Sequence, residues 1–445
     1  MRHYFTKEPS LHEDELTGSI KQWGYPLHSK KDLEPLFEYI GDSRIVMLGE
    51  ASHGTHEYYT WRSHITKKLI EEKGFNFIAV EGDWPDCYRL NRFVKGYDID
   101  NKSAFKVLHA FNRWPTWMWA NWEIVALADW LQQHNTGLPA NKKSGFYGLD
   151  VYSLWESMES IMQYLRKTDP AALKVAEEAF SCFEPYRKEE GQSYARASQF
   201  VPEICENEVV HLLREIRQKL PMYNTDHENV FSAEQNALIT VNAEKYYRAM
   251  IKGGPHSWNV RDRHMADTLT RLLKFHGENS KAIVWEHNTH IGDARATDMA
   301  DEGMYNIGEL ARLEHQDKGV VLVGFGSYAG SVMAGCSWGA TMQSMNVPEA
   351  AKGSWEYLLH KSGKENKLLL MHDFANNDML MENHLGHRAI GVVYNPVYEQ
   401  YGNYVPTIVP LRYDAFIYLD ETMALHPLHI EPNGHLVPET YPFGV

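Results

Sequence analysis

The strongest constraint on this chain is a recurring unit, a short unbroken apolar run that stops at a glycine or an acid. "IVML" (Ile45 to Leu48) ends in Gly49 and Glu50, "FNFIAVEG" (Phe75 to Gly82) closes on Glu81, and "SGFYGLD" (Ser144 to Asp150) on Asp150. "KAIVWEHN" (Lys281 to Asn288) ends in Glu286, His287 and Asn288, with His290 just beyond. "KGVVLVGFG" (Lys318 to Gly326) and "HRAIGVVYN" (His387 to Asn395) repeat the pattern, and "KLLLMHD" and "DAFIYLD" are shorter examples. Apolar runs without alternation read as strands buried on both faces, and several here are preceded by segments of helical period. The expected fold class is therefore α/β, with a mostly parallel central sheet and helices on both faces. Ligands of open sheets of this class bind outside the carboxyl ends of the strands. The polar endings then gather into a single acidic and histidine-rich rim made of Glu50, His53, Glu81, Asp150, Glu286, His287, Asn288 and His290.

At 445 residues the chain exceeds what one core usually supports, so an insertion or a second domain is expected. The texture changes after Asp150 to charged segments of helical period such as "LWESMESIMQYLRK", "EVVHLLREIRQKL" and "SAEQNALITVNAEKYYRAMI". Their lengths and breaks suggest about four helices. The organisation expected is residues 1–150 as the first part of the α/β core, 151–255 as a helical insertion subdomain beside or over the rim, and 256–445 as the second part of the core.

Charge and composition exclude several classes of partner. Lysine and arginine total 44 against 59 acids, a formal charge of −15, and no basic block resembles a phosphate-binding patch, which argues against nucleic acid. No apolar run approaches the roughly 18 residues of a membrane span, and "MRHYFTKEPS" lacks the apolar core of a signal peptide. A soluble, cytoplasmic protein is the expectation. Cys87, Cys182, Cys205 and Cys336 form no CxxC pair and no dense framework, which fits inert small hydrophobes in a reducing compartment. Nothing in the sequence sets the oligomeric state.

The segment after His53 carries helix signals. Thr55 is a plausible N-cap, Glu57 favours the positive end of the helix dipole, and Gly74 follows Lys73 as a stop. Tyr58, Ile65 and Leu69 recur as an apolar stripe, and Arg62 falls on that same stripe. A guanidinium directed inward needs a carboxylate, with Glu50 or Glu81 the nearest candidates. One reading is a structural salt bridge without chemistry. The other is an organised site in which a histidine, its second ring nitrogen held by a carboxylate, acts as general base toward water. The spacing of Glu50 and His53 allows that, and Arg62, His287 and His290 are of a type to stabilise an oxyanion or protonate a leaving group.

Other chemistries compete. "HGTHE" and "HNTH" each place two histidines three apart beside carboxylates, a ligand set for zinc or iron, although HExxH is absent. His384 and His387 form a weaker pair, read as solvated or structural. "GCSWG" matches GxSxG around Ser337, yet "GSYAGSVMAGCSWGATMQSMNVPEA" carries neither the preceding strand nor the following helix that a nucleophile elbow requires. "GFGSYAG" reads as a lone glycine-rich loop without a nucleotide-binding pattern. Finally, "FNRWPTWMWANW" packs Trp114, Trp117, Trp119 and Trp122 too densely for one helix face. Some of these rings should face a cleft or the helical insertion, and Trp114, Trp117 and Asn288 are the candidate substrate contacts. Subdomain packing is the competing reading of the tryptophans.

"GEASHG" followed by "WR", then "VEGDW", "WNVRD", "WEHNTHIGD", "GFGSYAG", "GSWE", "HRAIGVVYNP" and "YVPTIVPLRYDAF" run in order from about Ile45 to Phe416 and resemble the erythromycin esterase family. The resemblance implies an α/β core with a helical subdomain and metal-independent hydrolysis of a macrolide lactone, with no cofactor and a small-molecule ester as substrate. It further implies that His53 is the base that activates water and that Glu50 orients it. Arg62 and Glu81 match the family's buried charged positions, and His287 and His290 its second histidine pair, expected to position substrate or stabilise the oxyanion. Members of the family are not all macrolide esterases, some carrying names linked to exopolysaccharide (succinoglycan) biosynthesis. A metal-dependent hydrolase on the same rim, or a non-catalytic binder of an apolar or glycosidic ligand, remain the alternatives.

Overall fold

The computed structural model describes residues 11–98, 103–189, 192–198, 205–219, 226–252 and 254–429, so "MRHYFTKEPS" lies outside the described residues. Its strands are β1 (Tyr25–Pro26), β2 (Ile45–Leu48), β3 (Phe77–Asp83), β4 (Gly145–Asp150), β5 (Ala282–Trp285), β6 (Val320–Ala334), β7 (Gln343–Val347), β8 (Lys367–Leu370), β9 (Leu385–Arg388), β10 (Tyr404–Thr407) and β11 (Ala415–Thr422). Nine of them form one sheet in the order β1-β8-β11-β6-β2-β5-β3-β4, with β7 added to β6. From β11 through β4 every pairing along this order is parallel, while β8 with β11, β1 with β8 and β7 with β6 are antiparallel. The fold is the expected α/β class, a mostly parallel sheet covered on both faces.

Residue alternation along the central strands explains why the apolar runs are unbroken. Val46 and Leu48 enter one core with helix residues Tyr58, Ile65 and Leu69, while Ile45 and Met47 enter the opposite core with Met265, Leu269 and Leu272. Ile78 and Val80 of β3 divide from Phe77 and Ala79 in the same way. Each strand residue is thus removed from water on one face or the other, at roughly 1.5–3 kcal/mol for a large aliphatic side chain.

Two strand expectations are corrected. "HRAIGVVYN" is not part of the parallel sheet, because β9 pairs antiparallel with β10 in a separate two-stranded sheet and Ile390 makes only an isolated bridge to Ser52. "GFGSYAG" is not a loop but the middle of the 15-residue β6. Glycine there answers to a packing need, since a Cβ at Gly324 would lie 2.8 Å from both the Phe416 and Tyr413 rings. Glycine content alone read as a loop; the aromatic side chains that occupy the missing Cβ positions come from β11 and the turn before it.

Between β4 and β5 the described residues hold helices Leu154–Thr168, Pro170–Phe183, Gln192–Ser198, Glu206–Lys219 and His227–Met250, then Pro255–His276, which returns to the sheet. The first five build apolar clusters of their own, one around Trp155, Tyr194 and Tyr247 and another around Ile161, Leu165 and Leu212, while Ile239 of His227–Met250 joins the core of the sheet. Cys182 and Cys205 are disulfide-bonded across a sequence separation of 23. The reading of all four cysteines as inert is corrected for these two, and the reducing compartment loses that support. Helix packing, not a local motif, brings the pair together. Cys87 is buried and Cys336 exposed. No helix among the described residues is long and apolar enough to cross a membrane.

Candidate active site

The sheet order makes β2, β5, β3 and β4 consecutive neighbours, so the turns after their carboxyl ends share one edge. That edge is closed by short backbone links. Asn288 N–H donates to the Glu50 carbonyl at 2.9 Å, and His287 N–H donates to Glu81 Oε2 at 2.9 Å. The turn after β2 is pinned at Gly54, whose carbonyl accepts from Met333 N–H at 2.9 Å and Leu425 N–H at 3.0 Å. A Cβ at Gly54 would stand 1.9 Å from the Met333 carbonyl oxygen, so this contact admits only glycine.

His53 sits on that turn with its Nδ1 2.9 Å from Glu50 Oε1. A carboxylate there accepts from Nδ1–H, which assigns the lone pair to Nε2. The other Glu50 oxygen accepts from Arg62, which lies in the helix His56–Lys73 that Gly74 ends in a left-handed conformation, as its spacing predicts. Arg62 is wholly buried, with its guanidinium 4.6 Å from the ring centres of both Tyr59 and Trp285. Its partner is therefore Glu50, and Arg62 acts on the site by holding Glu50 rather than by facing the cavity. Thr55 occupies the N-cap position without a capping bond, its hydroxyl being turned to Ser52.

A second arginine, Arg261 of the helix Pro255–His276, completes the opposite side. Its guanidinium donates to Glu81 Oε1 at 2.6 Å and to both oxygens of Asp150, at 3.0 and 2.7 Å, and lies 4.8 Å from the Tyr152 ring centre. His290 Nε2 is 3.0 Å from Arg261 Nη1 and its Nδ1 is 3.0 Å from Asp262 Oδ1. Arginine can only donate, so Nε2 accepts and Nδ1–H bonds Asp262. With both nitrogens engaged and its ring stacked on Trp258 at 4.5 Å, His290 anchors Arg261 and does not reach a substrate. His290, expected to position substrate or stabilise the oxyanion, is placed against Arg261 and Asp262 and outside the cavity lining.

His287 differs. Its Nδ1 accepts from Thr289 N–H at 3.2 Å, capping the short helix Asn288–Ile291, so the proton resides on Nε2. That Nε2 is buried with no partner at good hydrogen-bond geometry, the Ala51 backbone being the polar neighbour of the ring, and the ring lies 4.9 Å from that of His53. An unpaired buried donor costs about 1–3 kcal/mol, relieved when an acceptor arrives. Burial, and then the neighbouring His53, depress its pKa well below the imidazole value, so His287 is a neutral donor.

Electrostatics separate the two rings. Burial alone would lower the His53 pKa, but the Glu81 charge and the Glu50 hydrogen bond outweigh it and raise it above 6.5. Burial raises the Glu81 pKa, but Arg261, His53 and the His287 N–H that it accepts outweigh it, so Glu81 stays ionised well below the ordinary carboxylate range. Glu286, buried with both oxygens unpartnered, is pushed well above the carboxylate range by burial and by Glu81, and is neutral.

Of these groups His53, Glu81 and Arg261 open onto a cavity of about 780 Å³, open solvent at its mouth included, whereas His287, Glu286 and His290 lie outside its lining. His53, Glu81, Asp150 and Arg261 form its floor, and Trp114, Trp119 and Trp338 stand in its walls. The lining, aromatic rings around a few convergent charged groups, is that of a small-molecule site. Trp117 and Asn288 do not line the cavity, and substrate contact from them is corrected. Trp117 is completely buried in the core against Trp114, and Asn288 clamps β6, donating to the Phe325 carbonyl at 2.6 Å while its Oδ1 accepts from Phe325 N–H at 3.3 Å. His387 lies behind Asn288 in a buried pair with Glu356 at 2.5 Å, a structural role, and His384 is exposed. Ser337 is exposed in the turn after β6 and lies outside the cavity lining.

Arg261 and Asp262 are the site residues that motif spacing missed. A signal was present, because Trp258, Arg261, Met265, Leu269 and Leu272 occupy one buried stripe, the same pattern that directed Arg62 inward.

A family model described as erythromycin esterase matches residues 70–422, a span that includes Glu81, Arg261, His287 and His290 and begins after Glu50, His53 and Arg62. Erythromycin esterase type II of Escherichia coli is 24% identical over 379 residues, 79% of this chain and 86% of its own length. A solved succinoglycan biosynthesis protein superimposes with a TM-score of 0.75 at 20% identity, covering 94% of this chain and 100% of that one. An erythromycin esterase mutant in its open conformation superimposes with a TM-score of 0.66 at 15% identity, over 88% of this chain and 94% of that one. At these identities the two structures carry the fold alone.

Proposed function

The chain belongs to the erythromycin esterase family of hydrolases, and on that premise we propose that it opens an ester of the macrolide-lactone type with water activated by His53. The observation that carries the reading is the line Arg62, Glu50, His53, which ends at the floor of the cavity. Glu50 fixes the ring so that Nε2 takes a proton from water as the water oxygen attacks the acyl carbon. The oxyanion that forms is assigned to the Nε2–H of His287, whose ring lies 4.9 Å from that of His53 although it stands outside the cavity lining. His53, now an imidazolium held by Glu50 and Glu81, returns the proton to the leaving alkoxide as the carbon–oxygen bond breaks, giving a hydroxy acid. No covalent intermediate on the protein is needed.

The test is mass-spectrometric detection of water addition to erythromycin and to a panel of simpler esters, using protein dialysed against chelator with its metal content quantified. Hydrolysis by metal-free protein, equally fast in Ser337→Ala, supports the reading. Turnover that returns only with metal moves the histidines to ligand roles, and ligand affinity without turnover favours a binder.

The raised pKa of His53 sets the pH profile. A base must be deprotonated to act, so kcat/KM falls as pH drops through that pKa, with the acid limb above pH 6.5. Removing the Glu81 charge withdraws support from the imidazolium and lowers the pKa. Glu81→Gln is therefore expected to move the acid limb to lower pH while reducing the plateau rate. An unmoved limb in a folded variant would separate Glu81 from the base.

A further inference from the structure

We propose that His56, Glu123 and His426 form a binding site for one divalent cation of the zinc class, outside the hydrolytic cavity. The inference does not depend on the proposed hydrolysis. Three segments distant in sequence bring these side chains together: the first turn of the helix His56–Lys73, the first turn of the helix Trp122–Asn135, and the stretch that follows β11. His56 Nδ1 lies 2.6 Å and His426 Nδ1 2.7 Å from one and the same oxygen of Glu123, and the three potential donor atoms lie within 4.8 Å of one another. The two imidazoles meet at 5.2 Å in an edge-on arrangement that directs both nitrogens to the carboxylate.

The burial gradient is that of a site with an entrance. The Glu123 side chain is 3% exposed, that of His56 30% and that of His426 56%. The Glu123 carboxylate, withdrawn from water, accepts from the two imidazoles and from His426 N–H at 3.3 and 3.4 Å, and a cation would exchange the imidazole hydrogen bonds for coordination by two neutral imidazoles. Two imidazole nitrogens and a carboxylate oxygen suit zinc and neighbouring transition metals and not calcium or magnesium. Metal–ligand distances of about 2.0–2.2 Å place tetrahedral ligands about 3.3 Å apart, so the cluster opens by about half an ångström or slightly more to admit an ion. His426, the most exposed member, has room for that movement.

Occupancy would tie down the stretch after β11 where it crosses the site's supporting turns. His56 N–H donates to the Met423 carbonyl at 2.8 Å, Trp122 N–H to the His426 carbonyl at 2.9 Å, and Leu428 N–H to the Ala120 carbonyl at 2.8 Å. Leu425 N–H reaches Gly54, next to His53, at 3.0 Å. An ion that binds the folded arrangement and not the unfolded chain raises the melting temperature.

The experiment titrates the full-length, chelator-dialysed protein with Zn²⁺, and with Co²⁺ as a visible-absorbing substitute, reading stoichiometry, Kd and Tm. One equivalent bound at about 1 μM or tighter, with a rise in Tm, is expected. His426→Ala, at an exposed position, is expected to weaken binding by about 100-fold or more and to abolish the Zn²⁺-dependent rise in Tm. His56→Ala, judged beside it by its retained circular dichroism, gives the same loss. A parent protein that takes up no stoichiometric ion overturns the proposal. So does a His426→Ala variant that binds as tightly as the parent, because the ion is then held elsewhere among the 23 histidines.

Discussion

Replacing His53 with alanine is expected to lower kcat/KM for ester hydrolysis by about 10²–10⁴-fold, the range that a positioned general base supplies. The fold is expected to survive. Glu50 keeps its Arg62 partner when the imidazole is removed, so no buried charge is orphaned, and the Gly54 carbonyl keeps both backbone donors that pin the turn. The stability cost is that of removing one buried ring from a cavity wall, about 1–2 kcal/mol. Circular dichroism and urea unfolding measured beside the rate separate the two effects. Near-normal turnover in a folded His53→Ala protein would end the base assignment.

Arg261→Met is expected to be the most destabilising of the substitutions considered, at about 3–5 kcal/mol in urea unfolding, with loss of activity. One guanidinium compensates two carboxylates, Glu81 and Asp150, and donates to His290 Nε2. Burial lowers the Arg261 pKa, but Asp150 and Glu81 outweigh it and hold the cation charged. Methionine fills much of the volume and leaves both acids facing one another without a cation. Coupling gives a sharper reading than the single loss. If the penalty arises from orphaned acids, Glu81→Gln in the Arg261→Met background should restore part of the stability, whereas independent losses would add. A single-variant loss below about 1 kcal/mol would show that solvent entering from the cavity supports the acids instead.

The contrast between these two arginines shows how far residue spacing reaches. Helix periodicity directs both Arg62 and Arg261 inward, because a residue on a buried stripe has nowhere else to point. It leaves open which acid each one meets. Arg62 takes Glu50 and Arg261 takes Glu81, a choice set by where the two helices cross the sheet edge. The same limit governs the tryptophans. Their density predicts that some rings leave the core, yet Trp114 and Trp119 line the cavity while Trp117 is wholly buried.

What the amino-acid sequence determined by itself is the α/β class, the apolar central strands and the single polar rim. Strand burial on two faces and the direction of parallel strands are local consequences of residue order, and they place Glu50, His53, Glu81 and His287 on one edge before any contact is known. Tertiary structure alone decided the rest: β9 leaving the parallel sheet, glycines of β6 making room for Phe416 and Tyr413, Cys182 meeting Cys205, and His56 turning away from His53 toward Glu123 and His426. Each of these depends on a partner remote in the chain. Pairing between remote residues is set by packing and by the cost of leaving a buried charge or donor unmatched, and neither quantity is carried by the spacing of residues along one segment.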